Sequence, residues 1–247
     1  MNFFGYIFLA LRTFFCYLLV GAVLLVILPP LIITLLILPA HWCYNNRFIF
    51  WLLDIFYKGI VGALLVPKTV TGKENIPTES SIIIANHQSA ADIPIVGSVL
   101  NCHPHIWYAM AYYATLPVLG FFIRRLGIPV SRENGGSAAR SLIQGIKFAQ
   151  NQKSHIIIFP EGGRFVDGQV HEFMHGFVLM ARSTGRPVVP IFMPYNGKIY
   201  PPFAFWVRWH PLVVIIGPQF IYHENDTDET FVNRVYTWFV QKNSENR

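Results

Sequence analysis

The N-terminal segment constrains this chain most, because no charged side chain occurs between Arg12 and His41. An apolar run of this length is typical of a membrane-embedded segment. Pro29 and Pro30 interrupt the run. Proline lacks the N–H that a helix needs, and its ring clashes with the preceding turn. We therefore predict that a helix ends just before the two prolines.

Two membrane architectures fit such a break. Residues 13–28 would measure roughly 24 Å as a helix, which is short of a hydrocarbon core of roughly 30 Å. We favour a helix pair that dips into one leaflet and returns, and the alternative is one tilted spanning helix. In the pair, the nearby basic residues and the rest of the chain face the cytoplasm. Residues 48–66 then form either an amphipathic surface helix or a helix packed on the globular part.

Composition narrows the classes of function. The chain has 247 residues with 53% hydrophobic and 13% charged side chains, against about 25% charged in a typical soluble domain. Its net charge of +6 favours an anionic partner, such as phospholipid headgroups or a nucleotide-bearing substrate. Nucleic acid is disfavoured because Lys and Arg form no dense stripe. The three cysteines suggest no disulfide framework, in keeping with a reducing, cytosol-facing location.

After residue 65, short apolar runs alternate with helical stretches. This pattern predicts an α/β fold with a mixed, largely parallel sheet flanked by helices. We assign residues 1–65 to a membrane-associated N-terminal part and residues 66–247 to this α/β domain. The predicted strands are Thr69–Gly72, Ile82–Ala85, Ile106–Met110, Ile128–Val130, His155–Phe159, Val188–Met193 and Val213–Ile216. The predicted helices are Ile93–Leu100, Ser137–Asn151, Phe177–Ser183 and one that begins near Asp228.

The first chemical motif, Asn86-His87-Gln88-Ser89-Ala90-Ala91-Asp92, directly follows a predicted strand. Ligands collect at the carboxyl ends of strands in open α/β sheets. A histidine there can take a proton from an alcohol if a second group fixes its tautomer and orientation. Asp92 can be that group if the intervening residues form a tight turn. The alternative is that Asp92 only caps a helix and that His87 is an ordinary loop residue.

Two further motifs also follow predicted strands. The run Phe159-Pro160-Glu161-Gly162-Gly163-Arg164 places a carboxylate, a guanidinium and backbone N–H groups together, which suits a polyol or phosphate ligand. Arg132 ends the run Gly127-Ile128-Pro129-Val130-Ser131-Arg132, and arginine suits phosphate because its planar fork binds two oxygens at once. Taken singly, the first run can be a strand and turn with a surface ion pair, and a residue such as Arg132 is more often just a solvated surface residue.

Together with Val189-Pro190-Ile191, these motifs resemble the family of 1-acylglycerol-3-phosphate acyltransferases. That family carries an Asn-His-x4-Asp block, a Gly…Arg block, a Phe-Pro-Glu-Gly-Thr-Arg block and a Val-Pro-Ile block in the same order, and the resemblance covers roughly residues 66–194. It implies an N-terminal membrane-embedding helix pair. It also implies transfer of a fatty acyl group from acyl-CoA or acyl carrier protein to a lysophospholipid hydroxyl. The first acceptor is 1-acyl-sn-glycerol 3-phosphate, which would give phosphatidic acid.

The resemblance also implies roles for individual residues. His87 is the general base, and Asp92 orients it. Arg132 binds the acceptor's phosphate, while Glu161 and Gly162 hold its glycerol part. The complete implied set of substrate-binding residues is Asn86, Ser89, Arg132, Glu161, Gly162, Gly163 and Arg164. The resemblance implies no metal ion, no cofactor besides the acyl donor, and no covalent nucleophile.

Three departures from the family pattern bear on the acceptor. Gly163 replaces the usual threonine of the third block, and Met174 stands where many relatives have lysine. Ala111-Tyr112 replaces a Lys-Glu pair. Two positive charges expected near an acceptor phosphate are therefore missing, so a lysophospholipid with a larger headgroup, or another hydroxylated lipid, is an alternative acceptor.

A competing motif, His171-Glu172-Phe173-Met174-His175, matches the H-E-x-x-H pattern of zinc hydrolases. This pattern binds zinc only when both histidines lie on one helix face, with the glutamate as base. Asp167-Gly168 and Gly176 flank the motif and make a continuous helix doubtful. A membrane zinc metalloprotease is thus the alternative function of a different class.

Overall fold

The structure is a computed structural model that describes residues 3–131 and 135–246. Its strands are β1 (Lys68–Thr71), β2 (Ile82–Ala85), β3 (His105–Met110), β4 (Gly127–Val130), β5 (His155–Ile158), β6 (Val188–Phe192) and β7 (Leu212–Ile216). Its helices are α1 (Phe3–Ile37), α2 (Ala40–Cys43), α3 (Arg47–Ala63), α4 (Asp92–Val99), α5 (Pro117–Leu126), α6 (Gly135–Asn151), α7 (Gly176–Thr184), α8 (Asn196–Ile199) and α9 (Asp228–Glu245). Short 3-10 turns cover Lys73–Asn75 and Ala111–Thr115.

In the described residues, all seven strands form one sheet in the order β1-β7-β6-β2-β5-β3-β4. Neighbouring strands are parallel, except that β6 and β7 pair antiparallel. The predicted mixed, largely parallel sheet with flanking helices is confirmed. Each predicted strand and helix of the α/β part is present, with its ends within two residues of the prediction, whereas α2, α5 and α8 were not predicted.

The central strand β2 explains why the sheet is covered on both faces. Its residues are all buried, and alternate side chains of a strand point to opposite faces. Ile83 and Ala85 join a core formed with α4 and the end of α3. Ile82 and Ile84 join a second core formed with α7 and α9. Such double coverage leaves the carboxyl edge of the sheet as the open place for a ligand.

The N-terminal helix α1 does not break at Pro29 and Pro30, so the predicted break is wrong. The helix runs unbroken through 35 residues, which is roughly 52 Å at 1.5 Å per residue. Ile27, Leu31 and Leu35 are buried on both sides of the prolines, in a core shared with α3. This packing holds the helix together although two backbone hydrogen bonds are lost.

Arg12 lies inside α1 and is buried against the end of α3. Its guanidinium donates hydrogen bonds to the backbone carbonyls of Leu64 and Leu65. The last carbonyls of a helix lack partners within the helix and carry partial negative charge, so a cation suits them. Arg12 therefore holds α1 to α3 and gains a partner for its charge within an apolar helix.

The outer surface of α1 is strongly apolar. Within residues 3–131 and 135–246, α1 is the one helix that is long and apolar enough to cross a membrane, judged by length and composition. Phe8, Phe14, Leu18 and Leu25 are among its exposed side chains. Helix α3 packs between α1 and α4, which matches the packed alternative predicted for residues 48–66.

Candidate active site

The turn after β2 brings His87 and Asp92 together. His87 Nδ1 lies 2.9 Å from Asp92 Oδ2, and Nδ1 donates because a carboxylate can only accept. Asp92 is the first residue of α4 and is fully buried, whereas the His87 side chain keeps 12% of its surface exposed. The predicted contact between His87 and Asp92 is therefore present. It uses Nδ1, so Nε2 points away from the carboxylate, as a general base at this position would require.

The Asp92 carboxylate is held by several donors. Oδ2 accepts hydrogen bonds from the backbone N–H groups of Gln88, at 2.6 Å, and Ser89, at 2.8 Å. Oδ1 accepts from Asn196 Nδ2 at 3.2 Å. Donors of this kind stabilise the ionised form of a buried carboxyl group. Asp92 is thus fixed as an acceptor for the imidazole, and the cap-only alternative is excluded because its side chain contacts His87.

The turn between β2 and α4 is also held against the end of β6. Asn86 Oδ1 accepts from the backbone N–H of Met193 at 2.8 Å, and Asn86 Nδ2 donates to the Met193 carbonyl at 3.0 Å. Ser89 Oγ donates to the carbonyl of Tyr200 at 2.5 Å and accepts from the Ala91 N–H at 3.0 Å. Both predicted substrate-binding residues are buried and used in these contacts, so they position the turn.

Glu161 lies beside the backbone of His87. Its Oε2 is 3.5 Å from the His87 N–H, while among the described residues its buried Oε1 has no hydrogen-bond partner. Burial raises the pKa of Glu161 to about 8, because desolvation disfavours the charged form. The buried Glu161 side chain therefore favours its neutral form.

Arg164 contacts the second ring nitrogen of His87. Its Nε donates to His87 Nε2 at 3.3 Å, and its Nη2 donates to Tyr113 Oη at 3.2 Å. The ring of Phe159 stacks on His87 with 4.0 Å between centroids. The phenyl ring fixes the plane of the imidazole, and the guanidinium contacts Nε2 of His87 directly.

Gly162 and Gly163 shape the turn between Glu161 and Arg164. Gly162 has a φ of +71°, a backbone conformation that glycine adopts without strain. A Cβ at Gly163 would lie 3.0 Å from the ring of Phe165, so this ring occupies the space that a threonine side chain would need. Arg132, the predicted phosphate-binding residue, lies outside the described residues.

A cavity of about 540 Å³ connects His87 with the N-terminal helices. His87, Gly162, Gly163 and Arg164 line one part of it. The rest is lined by mostly apolar side chains from α1, α3, α5 and β3, including Leu31, Leu53, Phe56, Trp107, Phe122 and Leu126. The site therefore joins a polar corner, which contains His87, to a pocket that suits an aliphatic chain.

The structure contradicts the zinc alternative. Residues 169–174 form no helix, and α7 begins only at Gly176. His171 Nε2 instead bonds to Asp167 Oδ2 at 2.8 Å, and its ring stacks on Phe165 at 3.7 Å. Among the described residues, no group of three or more His, Cys, Asp or Glu side chains is placed to hold a metal ion. The spacing matched a zinc motif, but the flanking glycines and the turn prevent the helix it requires.

Two residues of the site were not predicted from the sequence, and a third, Phe159, belongs to a predicted motif but was given no role of its own. Asn196 reaches Asp92 from 104 positions away, and Tyr113 reaches Arg164 from 51 positions away, so neither has a local signal. Phe159 directly precedes the Pro-Glu-Gly-Gly-Arg run. Its position at the end of a predicted strand is a signal that could have placed it at the same edge as His87.

The region that contains this site matches a known protein family. The sequence profile of the Acyltransferase family matches residues 68–194. The chain belongs to the acyltransferase family. His87, Asp92 and the Glu161–Arg164 turn all lie within the matched region.

Three curated relatives of this acyltransferase are named 1-acyl-sn-glycerol-3-phosphate acyltransferases. The chloroplastic protein of Brassica napus is 30% identical over 62% of this chain and 44% of its own length. The Pseudomonas aeruginosa protein is 28% identical over 72% and 65%. The Borreliella burgdorferi protein is 28% identical over 60% and 62%. The matched part of the chain thus spans less than two thirds of each relative.

A solved structure shares the fold over nearly the whole chain. It is the crystal structure of the 1-acyl-sn-glycerophosphate acyltransferase PlsC from Thermotoga maritima, with a TM-score of 0.80 and 23% identity. The alignment covers 97% of this acyltransferase and 96% of that chain. At this identity the likeness supports the overall architecture and no more.

Proposed function

We propose that this acyltransferase moves a fatty acyl group from an acyl thioester, acyl-CoA or acyl-ACP, to the free hydroxyl of a lysophospholipid. The first acceptor is 1-acyl-sn-glycerol 3-phosphate, and the product is phosphatidic acid. One observation carries the proposal: a buried aspartate orients His87 at the point where a polar corner meets an apolar cavity. The names of the curated relatives support the same reaction.

The proton path follows from the His87–Asp92 contact. Nδ1 carries the proton that bonds to Asp92, so Nε2 is the nitrogen that accepts the proton of the acceptor hydroxyl. The hydroxyl oxygen then bonds to the thioester carbon, and the tetrahedral intermediate collapses as the carbon–sulfur bond breaks. The departing sulfur takes the proton back from His87, and Asp92 stabilises the imidazolium that exists between the two steps.

Two groups beside the base suit the acceptor. The Arg164 guanidinium donates to Nε2 at 3.3 Å, and a bound phosphate would draw it away and leave Nε2 to the incoming hydroxyl. Gly162 lines the cavity beside His87 and suits contact with the glycerol part, while Glu161 supports it from behind, beside the His87 backbone. Met174 and Ala111-Tyr112 supply no cation where many relatives have lysine, so an acceptor with another headgroup is the alternative.

The apolar part of the cavity suits the acyl chain of the donor or acceptor, because its lining from α1, α3 and α5 removes an aliphatic chain from water. We propose that residues 1–65 attach the protein to a membrane and that residues 66–247 carry out the reaction on its cytoplasmic side. The exposed apolar surface of α1 supports this attachment.

The experiment uses the full chain in phospholipid vesicles with labelled acyl-CoA or acyl-ACP and a panel of lysophospholipids. We expect transfer to 1-acyl-sn-glycerol 3-phosphate to be fastest. The two donors tested in parallel identify the thioester. Faster transfer to another lysophospholipid would replace the acceptor but keep the reaction, whereas no transfer from either donor to any acceptor would overturn the proposed function.

The matched histidine variants test the role of the base. His87→Ala should lower kcat/KM by about 10²–10⁴-fold, the usual contribution of a general base. His223→Ala is the control because His223 is exposed and lies outside the site, so its rate should stay within about two-fold of the wild type.

A further inference from the structure

The loop between α8 and β7 exposes a set of large aromatic side chains. We call residues 201–210 the aromatic loop. Phe203 is fully exposed, and Trp209 is 56% exposed. Phe205 and Trp206 are also exposed. Contiguous apolar surface of this kind marks a contact with another apolar phase, because soluble surfaces carry such side chains only singly.

Hydrogen bonds fix the backbone of the aromatic loop, so its aromatic side chains are exposed although the loop itself is well anchored. Tyr17 Oη donates to the Phe205 carbonyl at 2.8 Å, and the Val207 N–H donates to Thr13 Oγ1 at 3.2 Å. The Arg208 N–H donates to the Ile199 carbonyl at 2.8 Å. Val207 itself is buried. The loop thus turns one apolar side chain inward and presents its large aromatic rings outward.

The anchor points place the loop directly against α1. Thr13 and Tyr17 belong to the same stretch of α1 as the exposed Phe14 and Leu18, and the ring of Phe205 lies 5.6 Å from that of Tyr17. The aromatic loop therefore continues the apolar surface that α1 presents. A bilayer that receives one of the two elements would meet the other at the same time.

Charge and ring chemistry favour a lipid interface as the occupant. Lys198 and Arg208 lie at or near the loop, and no Asp or Glu occurs between Glu172 and Glu224. Such a segment complements anionic headgroups. Tryptophan also prefers the boundary between headgroups and acyl chains, where its ring is apolar and its N–H can bond to water.

The loop lies at the entrance to the active site. Pro202 and Phe203 line the cavity that contains His87, and Ser89 in the turn between β2 and α4 donates to the carbonyl of Tyr200, just before the loop. A loop seated in lipid would therefore bring the cavity entrance to the membrane surface.

We propose that the aromatic loop is a second membrane-binding element, which inserts into the interfacial region beside α1 and opens the cavity to lipid. This inference rests on the proposed function for the lysophospholipid that enters, but the contact with lipid is independent of it. A lysophospholipid then reaches His87 from the bilayer without its acyl chain crossing water.

The first test measures where the loop lies. The full chain carries Cys102→Ser, which removes the exposed cysteine, and Phe203→Cys labelled with an environment-sensitive fluorophore. The control is Ile221→Cys, a 51% exposed position. It lies beside Phe220, which pairs with Val188 at the amino end of β6, whereas His87 lies at the carboxyl ends of the strands. In vesicles that contain anionic phospholipid, lipid-attached nitroxide should quench position 203 and aqueous iodide should quench position 221.

Two results would overturn the proposal. One is iodide quenching at position 203 as strong as at position 221. The other is that position 203 is shielded from both quenchers and that this shielding increases with the protein-to-lipid ratio. That result would assign the loop to a contact between two copies of the chain.

The second test measures the consequence for transfer. Trp206→Ser with Trp209→Ser should slow transfer to a long-chain lysophospholipid in vesicles by at least about five-fold, because interfacial apolar side chains hold the entrance in lipid. Transfer to a short-chain, water-soluble acceptor should stay within two-fold. The control, Ile221→Ser with Val240→Ser, changes two exposed side chains away from the loop and should leave both rates unchanged.

An equal loss with both acceptors would contradict the proposal, as would unchanged rates with both. Sedimentation with vesicles checks that α1 still attaches each variant. If the wild type transfers to neither acceptor, the proposed function fails, while the quenching experiment still decides whether the loop contacts lipid.

Discussion

Asp92→Asn tests most directly how the site works. In the proposed reaction, the carboxylate stabilises the imidazolium that forms when His87 takes the hydroxyl proton. His87 Nδ1 and Asp92 Oδ2 are 2.9 Å apart, which puts the centres of charge about 4 Å apart. At an effective dielectric constant of about 20, two unit charges at this distance interact by about 4 kcal/mol. Loss of that interaction should lower kcat/KM by a factor of roughly 10³.

The structure indicates that Asp92→Asn can fold. An asparagine oxygen in the place of Oδ2 still accepts from the two backbone N–H groups and from His87. The new NH₂ group would face the Asn196 amide, whose buried Oδ1 has no partner among the described residues. Rotation of the Asn196 amide would supply an acceptor, so the variant loses a charge but no hydrogen bond.

The assay compares initial rates of labelled acyl transfer in vesicles, with thermal unfolding to check the fold. Asp54→Asn is the matched control because Asp54 is also buried but pairs with Lys58 outside the site, and its rate should stay within about two-fold of the wild type. If Asp92→Asn folds normally and keeps its rate within about three-fold, the electrostatic reasoning is wrong.

Two further predictions concern stability. Burial raises the pKa of Glu161 from its ordinary 4.5 to about 8. Between these two pH values the folded state keeps a proton that the unfolded state releases. The free energy of unfolding should therefore fall by at most about 1.4 kcal/mol per pH unit as the pH rises through this range. Glu161→Gln should flatten this part of the pH profile of the melting temperature, and an unchanged slope would refute the assignment. Gly97→Ala should destabilise the fold by about 1–3 kcal/mol, because its Cβ would lie 2.3 Å from the ring of Tyr57. Gly62→Ala, with no atom within 4 Å of its Cβ, should leave the unfolding midpoint unchanged or raise it, and equal losses in both variants would contradict the packing argument.

The strands of the α/β part were predictable because their apolar runs are short, β-branched and bounded by turns. The contact between His87 and Asp92 was predictable because only a tight turn separates the two residues. The break at Pro29 was predicted wrongly. Proline favours a break, but side chains on both sides of it pack against α3, and the local sequence does not reveal this packing. Helix α5 was missed although it lines the cavity and begins at Pro117, a favourable first position.

The substitution at Gly163 became interpretable only with the structure. The sequence shows a missing threonine, whereas the structure shows that the ring of Phe165 fills the space next to it. In the same way, Asn196 could not be assigned to the site from its local sequence, because its contact with Asp92 depends on how β6 lies beside β2.

The clamp between Asn86 and Met193 has a consequence for how the enzyme is made. Its partners are 107 positions apart, and the amide that supports Asp92 comes three residues after Met193. During synthesis the histidine and the aspartate therefore emerge long before the segment that locks them in register. A nascent chain acquires a competent centre only after more than three quarters of its length has been translated, so catalytic competence coincides with near-completion of the sheet.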